Sequence, residues 1–178
     1  GHRLAMAEKM ADALLMPQVV QLSEMELNRE GKSYTADTLA ALHEEYPGAE
    51  LWLLMGTDMF LTLHQWHEPE KILKLAGVCA FGRTEQDGEE VFSPQREYLQ
   101  KTFPEARITT ITLPGLVDIS STRLRELLAK GEGRKYLYPA VYGYILMNGL
   151  YGTHADLKHL DIPELRACSY SMVMQKRV

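Results

Sequence analysis

Leu51-Trp52-Leu53-Leu54-Met55 is a continuous apolar run that stops at Gly56, the pattern of a strand buried on both faces by helices. Trp52, inside that run, reads as core. Val78-Cys79-Ala80-Phe81 and the stretch from Ile108 to Leu113 repeat the pattern, and Val19-Val20-Gln21-Leu22 reads as a further strand. Between these runs the apolar residues change to helical spacing. Leu4, Met6, Met10, Leu14 and Leu15 mark a helix that Pro17 ends, and Leu39, Leu42 and Tyr46 mark another that Pro47-Gly48 terminates. Ser93-Pro94 reads as a cap followed by proline at the first helical position. After Ser121 a helix turns Leu124, Leu127 and Leu128 inward and stops at Gly131, and Pro139 begins another carrying Val141, Tyr144 and Ile145. The alternation implies an α/β fold: a doubly wound, Rossmann-like parallel sheet with helices on both faces, binding ligands at the carboxyl ends of its strands.

Such a domain normally opens with a strand leading into a phosphate-binding loop. This sequence opens inside a helix and contains no G-x-G-x-x-G or Walker pattern, so the first βα unit is expected to be missing. Residues 1–152 read as one domain, closed by Gly149-Leu150-Tyr151-Gly152. Residues 153–178, with His154, His159 and Asp161-Ile162-Pro163, read as a linker and the start of a second helical segment.

Charge and cysteine content narrow the partners. Twenty-four acids against 19 bases give a net charge of -5, so no global basic field attracts nucleic acid or an anionic membrane surface, and an anionic ligand needs a local site. Cys79 and Cys168 lie far apart and outside any C-x-x-C or metal-ligand spacing, which argues against a disulfide scaffold or a structural zinc and for a reducing cytoplasm. No apolar run approaches the length of a membrane span.

The strongest local anomaly is Asp118-Ile119-Ser120-Ser121-Thr122-Arg123-Leu124-Arg125. Helix starts favour acids, because the macrodipole is positive there, yet this one carries two arginines. An anion at the helix end would explain them, since backbone N–H groups, Ser and Thr hydroxyls and a guanidinium fork all suit phosphate oxygens. The alternative is that Ser120 or Ser121 caps the helix while Arg123 pairs with Glu126. Gly56-Thr57-Asp58 follows a strand, where a glycine lets a ligand approach and an acid can accept from ribose hydroxyls; a turn glycine and an Asp58 cap are the alternative. Trp66, in the polar stretch His64-Gln65-Trp66-His67-Glu68-Pro69, gains little as core and suits stacking on a flat heterocycle. Ser33-Tyr34-Thr35-Ala36-Asp37-Thr38 begins a helix with Thr35 as its expected cap. His43, His64, His67, His154 and His159 show no metal-binding spacing and read as surface or hydrogen-bonded residues, and no nucleophile and base can be paired from spacing.

Taken in order, Ser33-Tyr34-Thr35-x-Asp37-Thr38-Leu39, Gly56-x-Asp58 with Trp66 eight positions beyond the acid, Arg83 after a strand, and Ile119-Ser120-Ser121-Thr122-x-x-Arg125 resemble the bacterial nicotinate-nucleotide adenylyltransferases of the nucleotidyltransferase superfamily. The Pro139 to Tyr151 ending is similar too, so the resemblance covers nearly all of residues 2–152. It implies an enzyme of NAD biosynthesis that joins ATP and nicotinate mononucleotide, with Mg2+, into nicotinate adenine dinucleotide and pyrophosphate. Ser121, Thr122 and Arg125 would hold the ATP phosphates, and Gly56 and Asp58 the adenosine part. Trp66 would stack on the nicotinate ring, backbone at Thr35 and His67 would meet its carboxylate, and Arg83 would contact the substrate. The mononucleotide's own phosphate attacks the α-phosphorus, so no catalytic side chain is identified here.

The sequence departs from the family in one respect. The amino-terminal Gly-x-Phe-x-Pro-x-His-x-Gly-His, whose histidines contact the phosphates, is absent from these residues, and the chain would therefore be an incomplete enzyme, inactive by itself. A non-catalytic nucleotide-binding module is the competing reading, and among enzymes an adenylyltransferase for pantetheine phosphate, which offers no ring to Trp66. A start codon directly before Gly1 would leave only the module; a preceding His-x-Gly-His would restore the enzyme. The tail from Thr153 resembles the junction to an HD-type phosphohydrolase domain, with an amphipathic helix docking on its own domain as the alternative.

Overall fold

The computed structural model describes residues 1–14, 19–82, 87–111 and 119–154. In chain order these form α1 (His2–Ala13), α2 (Thr35–Glu45), β1 (Leu51–Gly56), α3 (Thr57–Thr62), α4 (Pro69–Leu75), β2 (Ala76–Phe81), α5 (Glu89–Thr102), β3 (Ile108–Ile111), α6 (Ser121–Ala129) and α7 (Pro139–Met147), with single 3₁₀ turns at Leu63–Gln65, Gly133–Tyr136 and Leu150–Gly152. The chain divides into two compact units, Glu24–Asp118 and the combination of Gly1–Ser23 with Ile119–Val178. Arg83, Asp118, Cys168, His159, residues 112 and 113 of the expected third strand and nearly all of the expected tail segment lie outside the described residues.

The unit Glu24–Asp118 is the expected α/β arrangement, a parallel sheet of order β1-β2-β3 flanked by helices. Leu53 pairs with Val78 and Val78 with Ile108; Met55 pairs with Ala80 and Ala80 with Thr110. Met55, Phe60, Leu63, Ile72, Leu73, Val78, Phe92 and Leu99 form its core, and burying each such side chain contributes about 1.5–3 kcal/mol. Four expectations fail. β1 is buried on one face only: Leu51, Leu53 and Met55 point into the core, whereas Trp52 is 42% and Leu54 64% exposed. Five apolar residues in a period-2 strand do not reveal which face is covered. Trp52 is not core; its ring lies across Gly77 of the neighbouring strand with the Arg107 guanidinium 5.5 Å from its centroid.

Val19-Val20-Gln21-Leu22 forms no strand, and Val19 and Leu22 are exposed. Two adjacent valines carry β propensity but hold no strand without a ladder partner. α5 begins four residues before Ser93, with Gly88 as its cap residue, so that Pro94 is the sixth helical position rather than the first. Glu89 and Glu90 suit the first turn, and Glu89 is held there by Arg96, by the Ser93 hydroxyl at 3.0 Å and by Thr110 of β3 at 3.2 Å. This anchoring and the burial of Phe92 and Leu99 outweigh the one hydrogen bond that Pro94 cannot donate.

In the other unit Leu128, Val141, Tyr142, Ile145 and Leu146 form a second core, joined by Met6 and Leu124. α6 ends as expected at Gly131, whose φ is +77°. Glu132 N–H reaches Leu127 O at 2.9 Å and Gly131 N–H reaches Leu128 O at 3.0 Å, the paired bonds of a Schellman stop. Among the described residues no helix is long and apolar enough to cross a membrane.

Two predictions follow from these contacts. A Cβ at Gly77 would lie 2.7 Å from the Trp52 ring, so Gly77→Ala should lower the unfolding free energy by about 1 kcal/mol as the exposed ring is displaced. In a Trp52→Ala background the same substitution should become neutral or stabilising, because alanine restricts the unfolded strand more than glycine does; equal losses in both backgrounds, measured by urea unfolding, would refute the cross-strand contact. The second concerns acid. The hydrogen bond from Arg96, then that from Ser93, holds the Glu89 carboxyl below its ordinary value of 4.5. A carboxyl depressed in the folded state stabilises above its unfolded pKa and loses that contribution as pH falls through the folded one. Urea midpoints taken down from neutral pH should therefore fall less steeply below about pH 4.5 for Glu89→Gln than for the parent.

Candidate functional site

The crossover from β1 to β2 carries α3, a 3₁₀ turn and α4, and the bend between the last two places Trp66 and His67 opposite the start of α2. Ser33, Tyr34, Thr35, Trp66, His67 and Ile72 line one cavity of about 270 Å³. Three residues expected at the site from sequence, Thr35, Trp66 and His67, are thus brought together although more than 30 positions separate the first from the others. Trp66 is half-buried against the core and directs its indole N–H toward the Thr62 hydroxyl at 3.5 Å. It is held from behind while one side faces the cavity. The expected burial order of the two tryptophans is reversed, with Trp52 the more exposed.

Thr35 is not the cap of α2. Tyr34 occupies that position, and its carbonyl accepts from Asp37 N–H at 3.1 Å and Thr38 N–H at 3.2 Å. No side chain caps this helix end, so the first N–H groups, at Thr35 and Ala36, have no acceptor within the helix. Thr38 instead turns its hydroxyl to Glu26, donating at 2.7 Å. The start of α2 therefore presents N–H donors and the positive end of a helix dipole beside an aromatic wall, a combination suited to a carboxylate borne on a flat ring.

Tyr34 joins the lining of the cavity, and Glu68 and Lys71 stand beside it. The Tyr34 and His67 rings lie 4.1 Å apart, tilted by 32°. Glu68 follows with φ +50°, a left-handed conformation uncommon for a residue other than glycine. Its carboxylate lies 3.6 Å from His67 Nε2 and accepts from Lys71 Nζ at 3.2 Å, while Lys71 also reaches Asp37 at 3.6 Å. The hydrogen bond it donates to Glu68 is the main reason the Lys71 ammonium holds its proton above the ordinary lysine range. Ser-Tyr-Thr was visible as a motif. The ion pairs were not, because they depend on how α2 packs against α4.

Gly56 is the buried last residue of β1 and the cap residue of α3; Asp58 lies in the first turn of that helix and is exposed, so it is not the cap. Between them the buried Thr57 donates to Asp87 at 2.8 Å. His64 accepts through Nδ1 from the Gln95 amide nitrogen at 3.0 Å, a satisfied histidine as expected.

At the start of α6, Ser120 is the cap and its hydroxyl accepts from Arg123 N–H at 3.1 Å, while Arg123 pairs with Glu126 at 3.1 Å. For these two residues the ordinary capping alternative holds. Ser121, Thr122 and Arg125 remain exposed on the first turns, no acid accompanies them in the first turn, and Arg125 has no ion-pair partner among the described residues. Two hydroxyls, a guanidinium and the helix end are donors to an anion rather than ligands of a metal.

A family profile described as cytidylyltransferase-like matches residues 1–127. Proteins named as probable nicotinate-nucleotide adenylyltransferases are similar over most of the chain. The one from Lachnoclostridium phytofermentans is 34% identical over 131 residues, which cover 73% of this chain and 64% of the relative. That from Herpetosiphon aurantiacus is 36% identical over 152 residues, covering 84% and 72%. The chain spans about two thirds of the length of these relatives. Among solved structures, Plasmodium falciparum nicotinic acid mononucleotide adenylyltransferase complexed with NaAD shares the fold, with a TM-score of 0.55 at 23% identity over 71% of this chain and 61% of that one. By profile and by identity, this chain belongs to the nicotinate-nucleotide adenylyltransferase family of cytidylyltransferase-like proteins.

Proposed function

We propose that this chain binds nicotinate mononucleotide and ATP and contributes to transfer of the adenylyl group between them, giving nicotinate adenine dinucleotide and pyrophosphate in NAD biosynthesis. The observation that carries the reading is the cavity between α2 and Trp66, where a half-buried indole and uncapped helix N–H groups meet. In this reading Trp66 stacks on the pyridine, and backbone N–H groups at Thr35 and His67 take its carboxylate. Gly56 and Asp58 meet the adenosine, Ser121, Thr122 and Arg125 hold the phosphates, and Arg83 contacts the substrate. Residues 1–152 act as the adenylyltransferase domain, and residues 153–178 as a linker into a further segment.

The chemistry asks little of side chains. A phosphate oxygen of the mononucleotide attacks the α-phosphorus of ATP, the new P–O bond forms as the bond to the bridging oxygen breaks, and that electron pair leaves with pyrophosphate. The protein's part is to align the two phosphates and neutralise charge that builds on the leaving group. Among the described residues no three His, Cys, Asp or Glu side chains converge on one point. The donors on α6 suit phosphate oxygens, so a magnesium ion would enter held by the triphosphate and by water. Its contribution when bound is to offset phosphate charge.

Binding tests the assignments separately. Arg125→Ala deletes a charge-assisted fork and should weaken ATP by about 1.5–3 kcal/mol in calorimetric titration with little change in Tm; unchanged affinity would leave α6 an ordinary capped helix. For Trp66, stacking on an aromatic face is worth about 1–3 kcal/mol. Trp66→Ala should weaken nicotinate mononucleotide by that amount and leave ATP unaffected, and Trp66→Phe should recover most of the loss. Because Trp52 is exposed, fluorescence quenching is read in a Trp52→Phe background, where the mononucleotide should quench and pantetheine phosphate should not. Equal weakening of both nucleotides by Trp66→Ala would make the ring structural. Binding of both without pyrophosphate release, once the chain carries a His-x-Gly-His segment, would favour the non-catalytic module.

A further inference from the structure

Lys71 does not line the cavity, yet it contacts an acid beside each of two stretches that do. Its ammonium is 3.6 Å from Asp37, in the first turn of α2 directly behind Tyr34 and Thr35, and 3.2 Å from Glu68, directly after Trp66 and His67. Glu68 in turn lies 3.6 Å from His67 Nε2. The next residue along α4, Ile72, is fully buried and forms part of the cavity lining. One cation thus joins the helix end that offers N–H donors to the bend that offers the indole.

We infer that Lys71 is a positioning residue that fixes the separation of the Tyr34–Thr35 and Trp66–His67 walls and so sets the slot for a flat ring. Two observations support a role for the bridge beyond surface charge. Glu68 has φ +50°, a conformation that a non-glycine residue keeps only when its surroundings hold it. The Glu68 contact closes the first turn of α4, which carries the bend, and the Asp37 contact crosses to α2, so the same ammonium that holds Glu68 also ties the bend to the neighbouring helix. An isolated exposed ion pair is worth little, but a bridge that fixes a cavity removes an ordering cost that the ligand would otherwise meet on binding.

The identity of the ring rests on the proposed function; the slot does not. The test therefore has one arm with substrate and one without. In a Trp52→Phe background, Lys71→Met, which keeps most of the side-chain length and removes the charge, should increase acrylamide quenching of Trp66, and Lys71→Arg should restore the parent value. With nicotinate mononucleotide, Lys71→Met should raise Kd by about three- to tenfold, Lys71→Arg should recover it, and Kd for ATP should stay at the parent value. Asp37→Asn cuts the same bridge from the α2 side and serves if Lys71→Met does not fold. Unchanged quenching in whichever of the two folds overturns the inference. A fall in Tm accompanied by equal weakening of both nucleotides also overturns it, since that is what a merely stabilising ion pair would do. If quenching responds as expected but Trp66→Ala leaves mononucleotide binding intact, the slot stands and the nicotinate assignment falls.

Discussion

Parallel pairing of β1 with β2 governs the unit Glu24–Asp118. Strands running in the same direction cannot be joined by a tight turn, so the chain must return along the sheet before Ala76 can lie beside Leu51. That return is residues 57–75. Phe60, Leu63, Ile72 and Leu73 anchor it to the sheet, all of them essentially inaccessible to solvent. Between Leu63 and Ile72 the chain has to change direction from a 3₁₀ turn into α4, and the bend exposes Trp66, His67 and Glu68 toward α2. The cavity is thus a by-product of crossing over: a crossover made of one uninterrupted helix would have no bend to oppose the start of α2.

The elements could be read from the sequence where one residue type acts over a short range. Gly131 stops α6 through its positive φ, Pro139 opens α7, and the buried faces of α6 fall on Leu127 and Leu128 as their spacing requires. Errors came where tertiary partners decide. Trp52 has the hydrophobicity of core but lies over Gly77 on an open face, and no local pattern says which face of an apolar strand its neighbours will cover. Val19 and Val20 have strand propensity without a ladder. Pro94 reads as a helix start because proline is common there, but Glu89 with Arg96 and Thr110 fixes the start of α5 five positions earlier.

The site was legible in a similar proportion. Trp66 stood out because a large ring in a polar stretch has no obvious core to fill, and that argument was half right: the ring faces the cavity, but it also packs on the core. The participation of Tyr34, Glu68 and Lys71 depends on distances between α2 and α4, and single residues of these types carry no signal in sequence. Glu68 illustrates the limit. The proline that follows it disfavours the right-handed helical region and directs expectation to extended backbone, yet the residue is left-handed, a choice only the surrounding packing could dictate.

The dual position of Trp66 has an energetic consequence. A platform for a flat ligand is useful only if it does not have to be ordered when the ligand arrives, because each side chain immobilised on binding costs about 0.5–1.5 kcal/mol. Contact with the core and the approach of its N–H to Thr62 meet that cost during folding. The helix N–H groups at Thr35 need no ordering either, since α2 is held by Ala36 and Leu39 in the core. What is left to order is the distance between these two rigid features. Exposed side chains, namely those of Tyr34, His67 and Glu68, span that distance, and Lys71 contacts an acid on each side. In the proposed arrangement a surface ammonium, ordinarily of little consequence for stability, acts through the geometry of the two walls.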